Sequence, residues 1–279
     1  MARYGFVFNV ERCNGCFSCF LACKDEHTGN CHCPTCAATT ECINLKRIDE
    51  VQYGSDDKVK VDYMHYVCQQ CADPACMKKF PNEIYKRDDG IVIIDPEKAK
   101  GKKEIVNSCP YNAIVWNEEA QLPQKCTMCA HMLDAGETVT RCSEVCPNAA
   151  LLFGDLDDPD SEISKYVAEH KDELEKLHPE FGTGPAHWYR HIPKPFICGE
   201  VVCKDTDECC KGAKVTLTCD ECGTQRTTET DFLGDFESRG LPTNKPFTVK
   251  VEAEGYKPCE LKTRTKASVN LGEIFIEKA

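Results

Sequence analysis

Cys13, Cys16, Cys19 and Cys23 stand in the stretch CNGCFSCFLAC, spaced C-x2-C-x2-C-x3-C. Three thiolates held this close reach three irons of one cubane, while the fourth, a helical turn further on, points at a neighbouring cluster. A second run, CTMC…RCSEVCP, has the same grammar stretched by an insertion: Cys126, Cys129, Cys142 and Cys146, with Pro147 behind the last. Exchanging the fourth ligands gives one set of Cys13, Cys16, Cys19 and Cys146, and a second of Cys126, Cys129, Cys142 and Cys23. A third run, CQQCADPACMKKFP, supplies Cys68, Cys71 and Cys76 but has Phe80 at its fourth position. Cys109, followed by Pro110, completes that set as the surviving member of a fourth run. Counted back by the same spacing, the other positions of that run are Ala99, Lys102 and Ile105. A fourth cluster would need those three and Phe80, so the spacing predicts three 4Fe–4S clusters and one vacated site.

The whole chain agrees with a metal-organised protein. It has 279 residues, 23 cysteines and a formal net charge of −12. That charge argues against nucleic acid and an anionic membrane face as partners. No apolar run approaches the ~18 residues of a membrane span. The first residues, MARYGFVFNVERC, lack a charged segment leading into an apolar one, so no secretory signal is expected. An odd cysteine count in a chain of this length favours metal ligands in a reducing compartment over a disulfide scaffold.

Short strands must position these loops. Stretches 4–10, 58–63, 91–94 and 113–116 read as strands, and IYKRDDGIVII as a hairpin turning on Asp-Asp-Gly. A helix is expected over 160–178, from the spacing of Ile163, Tyr166, Val167, Leu174 and Leu177. IPKPF reads as a linker, placing a boundary at 191–196. Beyond it, 197–279 alternates apolar and polar residues between turns, the pattern of a small antiparallel all-β sandwich of transthyretin or immunoglobulin type. The class is therefore α+β: a cluster-bearing domain over 1–190, with a cysteine-rich insertion at 28–45, followed by the sandwich.

RDDGIVIIDPEKAKGKKE, then CPY, WNEE, QKCTMCAH and FGDLDDPDSEISK, resembles the iron–sulfur subunits of molybdenum and tungsten bis-pterin oxidoreductases, the dimethyl-sulfoxide-reductase group. Within it the similarity points to small subunits of the pyrogallol–phloroglucinol transhydroxylase type or the partner subunits of reductive catechol dehydroxylases. The resemblance implies a double bacterial-ferredoxin-like fold, electron transfer, and a large pterin-bearing partner acting on hydroxylated aromatics. It also implies that the set with Cys146 lies nearest that partner. The vacated site is the terminal one in membrane-bound relatives, so no anchor subunit is expected. A cytoplasmic location follows, or export bound to a partner with a twin-arginine signal. The competing readings are a stand-alone polyferredoxin that exchanges electrons with soluble donors, and the subunit of a formate dehydrogenase or sulfoxide reductase.

No catalytic triad or general base stands out by spacing. His65, His131 and Tyr111 flank proposed ligands and are expected to pack or hydrogen-bond there, and Lys24 and Lys125 to offset cluster charge or lie on the surface. Cys31, Cys33, Cys36 and Cys42 could hold a structural zinc, stand as thiols or disulfides, or hold a further cluster. The seven cysteines after 197 leave a zinc site, disulfides or plain thiols open, with Cys219 and Cys222 at a hairpin turn.

Overall fold

A computed structural model describes residues 2–28, 44–55 and 58–279. It divides into a unit of 1–50 with 62–192 and a second of 51–61 with 193–279. In chain order the strands and helices up to 190 are β1 (Tyr4–Asn9), α1 (Ser18–Thr28), β2 (Lys46–Ser55), β3 (Lys58–Val67), α2 (Ala75–Lys79), β4 (Ile84–Lys86), β5 (Val92–Ile94), α3 (Pro96–Ala99), β6 (Val115–Asn117), β7 (Leu122–Gln124), α4 (Ala130–Asp134), α5 (Arg141–Glu144), β8 (Leu151–Asp155), α6 (Glu162–Glu169), β9 (Leu174–Glu175) and β10 (Trp188–Arg190).

The central sheet of the first unit runs β8-β1-β10-β9, with β1 parallel to β10 and antiparallel to β8. β1 is apolar almost throughout because both of its faces are covered. Val7 packs with Ile163 and Leu174. On the other face Phe6 meets His187 with ring centroids 5.0 Å apart, and Phe8 stacks on His65 and Tyr189. Tyr189 is fully buried. Its hydroxyl donates to the His65 carbonyl at 2.8 Å and accepts from Gln69 Nε2 at 3.0 Å. Tyr189→Phe leaves both groups short of a partner and is expected to cost about 1–3 kcal/mol, read as a lower thermal unfolding midpoint.

The β4–β5 hairpin forms with Ile84 opposite Ile94, and Gly90 takes the left-handed backbone its turn requires at φ +84°. The helix expected over 160–178 is shorter, ending at Glu169. Ser161 caps its start by accepting from Ser164 N. Its periodicity continues in sequence, but the chain turns at His170 and Leu174 leaves to pair with Arg190. There Leu174 joins Val7 and Ile163 in one apolar cluster, so burial on the sheet outweighs two further helical turns.

The second unit holds β11 (Ile197–Cys203), β12 (Glu208–Cys209), β13 (Lys214–Cys219), β14 (Gln225–Glu229), β15 (Asp235–Ser238), β16 (Pro246–Glu252), β17 (Cys259–Arg264) and β18 (Val269–Ile276). One sheet is β14-β13-β16-β17; in the other, β11 pairs with β12, β15 and β18. The sandwich is not wholly antiparallel, since β18 runs parallel to β11. Alternation in β13 and β16 sends Val215, Leu217, Phe247, Val249 and Val251 into a core shared with Ile197 and Val201 of β11. Lys58, at the head of β3, belongs to this unit and pairs with Asp235 at 3.1 Å. No helix among the described residues is long and apolar enough to cross a membrane.

Candidate functional site

Each cysteine run bends at the residue before its second cysteine position. Gly15, Gln70 and Met128 all lie in the left-handed region, at φ 68°, 46° and 53°. Gly101 has the same bend at φ 76°, immediately before Lys102, the second position of the run that would end at Cys109. Asn112 and Ala149, three residues after Cys109 and Cys146, are left-handed too. Such bends turn backbone N–H groups inward, as an anionic thiolate requires. Met128 N–H donates to Cys126 Sγ at 3.3 Å, and the Gly15 N–H bonds Cys13. At Gly15 a Cβ would fall 2.4 Å from the Tyr63 ring, so only glycine fits the bend.

The fold brings thiols from distant runs together. Cys13, Cys16, Cys19 and Cys146 line one cavity with Phe17, Ile48 and His65. Burial raises the Cys13 thiol above its ordinary range, the Gly15 N–H opposes this, and Cys146 and Cys16 add to it. Cys23 is pushed up to about 12 by burial and then by Cys142 and Cys129. Cys126 is buried in the field of Cys23 and Cys142. Cys71 is pushed up to about 12 by burial, with Cys68, Cys109 and Cys76 beside it. The groups adjoin in a row, for Cys19 senses Cys142 and Cys126 senses Cys68.

Buried thiols that hold one another protonated ionise readily only around inserted positive charge. Among the described residues no three His, Cys, Asp or Glu side chains converge tightly enough to hold a single ion. Thiols that share a field without converging on one point suit a group several atoms across, as a cubane is.

At the positions where a fourth set of cysteines would stand, Ala99 and Ile105 are fully buried with Cys76, Ile84, Val92 and Ile114, and Phe80 packs against that cluster. Lys102 pairs with Glu83. Side-chain packing, not a set of thiols, surrounds these positions.

Flanking residues take supporting roles. His65 Nε2 lies 3.2 Å from Cys13 Sγ, and burial, then Lys46, lowers the ring's pKa to about 3, leaving it neutral. His131 Nε2 meets Glu26 Oε1 at 2.7 Å, and Tyr111 OH meets Thr183 Oγ1 at 2.8 Å. Lys125 is buried and donates to the carbonyl of Cys126 at 3.2 Å, whereas Lys24 lies over the Phe20 ring. Spacing gave no warning of Lys46, buried among the thiols from the head of β2, nor of His187, which bridges Phe6 N and the Cys68 carbonyl.

Cys31, Cys33, Cys36 and Cys42 lie outside the described residues. In the sandwich Cys219 and Cys222 are bridged to each other, and Cys203 and Cys210 are in hydrogen-bond contact.

Residues 59–156 match the family model of the 4Fe-4S dicluster domain, and 197–272 that of the carboxypeptidase regulatory-like domain. The pyrogallol hydroxytransferase small subunit of Pelobacter acidigallici is 34% identical, across 98% of this chain and 99% of its own. A putative iron–sulfur subunit of the Halobacterium salinarum dimethyl sulfoxide reductase is 36% identical, across 68% of this chain and 79% of its own. A subunit of the tetrathionate reductase of Salmonella typhimurium is 33% identical, across 70% and 75%.

Proposed function

The chain belongs to the 4Fe–4S electron-transfer subunits of the dimethyl-sulfoxide-reductase family of bis-pterin oxidoreductases, and on that premise we propose that it holds three clusters and serves a catalytic subunit acting on hydroxylated aromatics. The proposed ligands are Cys13, Cys16, Cys19 and Cys146 for the first cluster, Cys23, Cys126, Cys129 and Cys142 for the second, and Cys68, Cys71, Cys76 and Cys109 for the third. The observation that carries this is the convergence of thiols from separate runs into adjoining groups, beside an apolar plug at the fourth position. Bound cubanes supply outer-sphere electron transfer, tuned by burial, by hydrogen bonds to sulfur and by local charge.

The substrate class rests on the relative matched across both units, whose name is a pyrogallol hydroxytransferase subunit. In a transhydroxylase a hydroxyl group moves between aromatics with no net electron demand. In a reductive dehydroxylase electrons enter through this chain. The plug at the fourth position favours a complex without a membrane-anchor subunit.

Metal content of the complex purified anaerobically tests the reading. About 12 iron atoms per chain are expected, four for each of three cubanes, with stoichiometric molybdenum or tungsten. The same iron with neither metal would indicate a free polyferredoxin. About 16 would place a further cluster on Cys31, Cys33, Cys36 and Cys42.

A further inference from the structure

Lys46 stands where two of the thiol groups meet. Its side chain is 3% exposed, and its ammonium lies 5.4 Å from the centroid of the Phe8 ring. It hydrogen-bonds Cys19 and also acts on Cys13, both of the first set. It also interacts with Cys142, Cys23 and Cys126, all of the second. Cys19 and Cys142, the ligands that bring the two sets together, are the two thiols that act on it most strongly.

We propose that Lys46 is a cation shared by the first two clusters, raising the reduction potential of both and screening their mutual repulsion. The inference rests on the three-cluster reading above. An oxidised cubane with four thiolates is already anionic, and one-electron reduction from the 2+ to the 1+ core adds a further negative charge. A buried positive charge beside the sulfurs therefore favours the reduced form more than the oxidised one. The electron comes from the donor, and the ammonium keeps its proton. Screening also matters between neighbours, because an electron on one cluster otherwise disfavours an electron on the next. Lys46 is a tuning residue and touches no substrate.

A parallel case supplies the control. Lys125 is equally buried and acts on Cys76 and Cys109 of the third set.

EPR-monitored dithionite titration of the holo-complex tests the proposal on wild type, Lys46→Met, Lys46→Arg and Lys125→Met. In Lys46→Met two of the three midpoints should fall, each by at least tenfold in the reduction equilibrium, about 59 mV for a one-electron couple. Lys46→Arg, which keeps the charge, should restore most of that shift. Lys125→Met should lower the midpoint that Lys46→Met leaves in place. Unmoved midpoints in Lys46→Met, an equal fall in Lys46→Arg, or an equal displacement of the same two midpoints by Lys125→Met would each overturn the proposal. Iron measured on the same samples separates the two readings. A wild-type content well below about 12 overturns the cluster assignment, whereas full iron with unmoved midpoints overturns only the role of Lys46. Should Lys46→Met lose a cluster, wild-type protein carrying nitrogen-15 lysine decides instead. Echo modulation from a lysine nitrogen on a reduced cluster signal is expected, and its absence refutes the placement.

Discussion

Replacing Cys146 and Cys126 together with alanine is expected to strip two clusters, whereas replacing Cys146 and Cys13 together strips one. The first variant should retain about 4 iron atoms per chain and the second about 8, against about 12 in wild type. A local reading, in which each run holds its own cluster, makes the opposite prediction for both pairs. The crossed arrangement has a physical basis. Cys146 shares a cavity with Cys13, Cys16 and Cys19, although more than a hundred residues separate them. Cys126 lies in the field of Cys23 and Cys142 instead. Removing a thiolate leaves an iron with an open coordination site, and loss of that cluster is the expected outcome. Iron analysis with EPR spin counting reads the outcome. Equal iron in the two double variants would dispose of the exchanged fourth ligands.

Ile105→Asp is expected to be the most damaging change outside the cysteines. Ile105 is fully buried in an apolar cluster, with Cys76 in the same cluster and Cys109 packed against it. An ionised carboxylate there loses its hydration with no designed partner, at a cost on the order of several kcal/mol. Ile105→Ala leaves a cavity and costs about 2–5 kcal/mol. Both should speed thermal loss of the third cluster, with the aspartate variant purifying at about 8 iron atoms. Ile105→Cys restores one thiol of the vacated run and should leave iron near 12, because packing rather than a cradle surrounds it. A rise towards 16 iron in that variant would show that the position still accepts a cluster.

Particular residues show where reading the chain succeeded and where it stopped. Counting alone places a fourth run through Ala99, Lys102 and Ile105, and Gly101 carries the same left-handed bend as Gly15, Gln70 and Met128. Counting works because a loop that presents thiolates has a short, covalently fixed reach. The strands of the sandwich were legible for a related reason, since side chains alternate sides whatever the strand packs against. The spacing of Leu174 satisfies a helix, and only the pairing with Arg190 takes it to the sheet. β18 likewise reads as one more alternating strand, and its parallel pairing with β11 depends on a partner about seventy residues away.

Order along the chain is enough to propose how the thiols group, which positions lack one, and where the cysteine-rich part gives way to an alternating β pattern. These are properties of spacing and alternation, carried by neighbouring bonds. Folding in three dimensions was needed to show what packs around Ala99 and Ile105, which helical turns are given up to the sheet, that Cys219 and Cys222 bridge, and that Lys46 comes to lie beside two thiol groups. Each of those depends on burial and on electric fields, which sum over residues close in space and far apart along the chain.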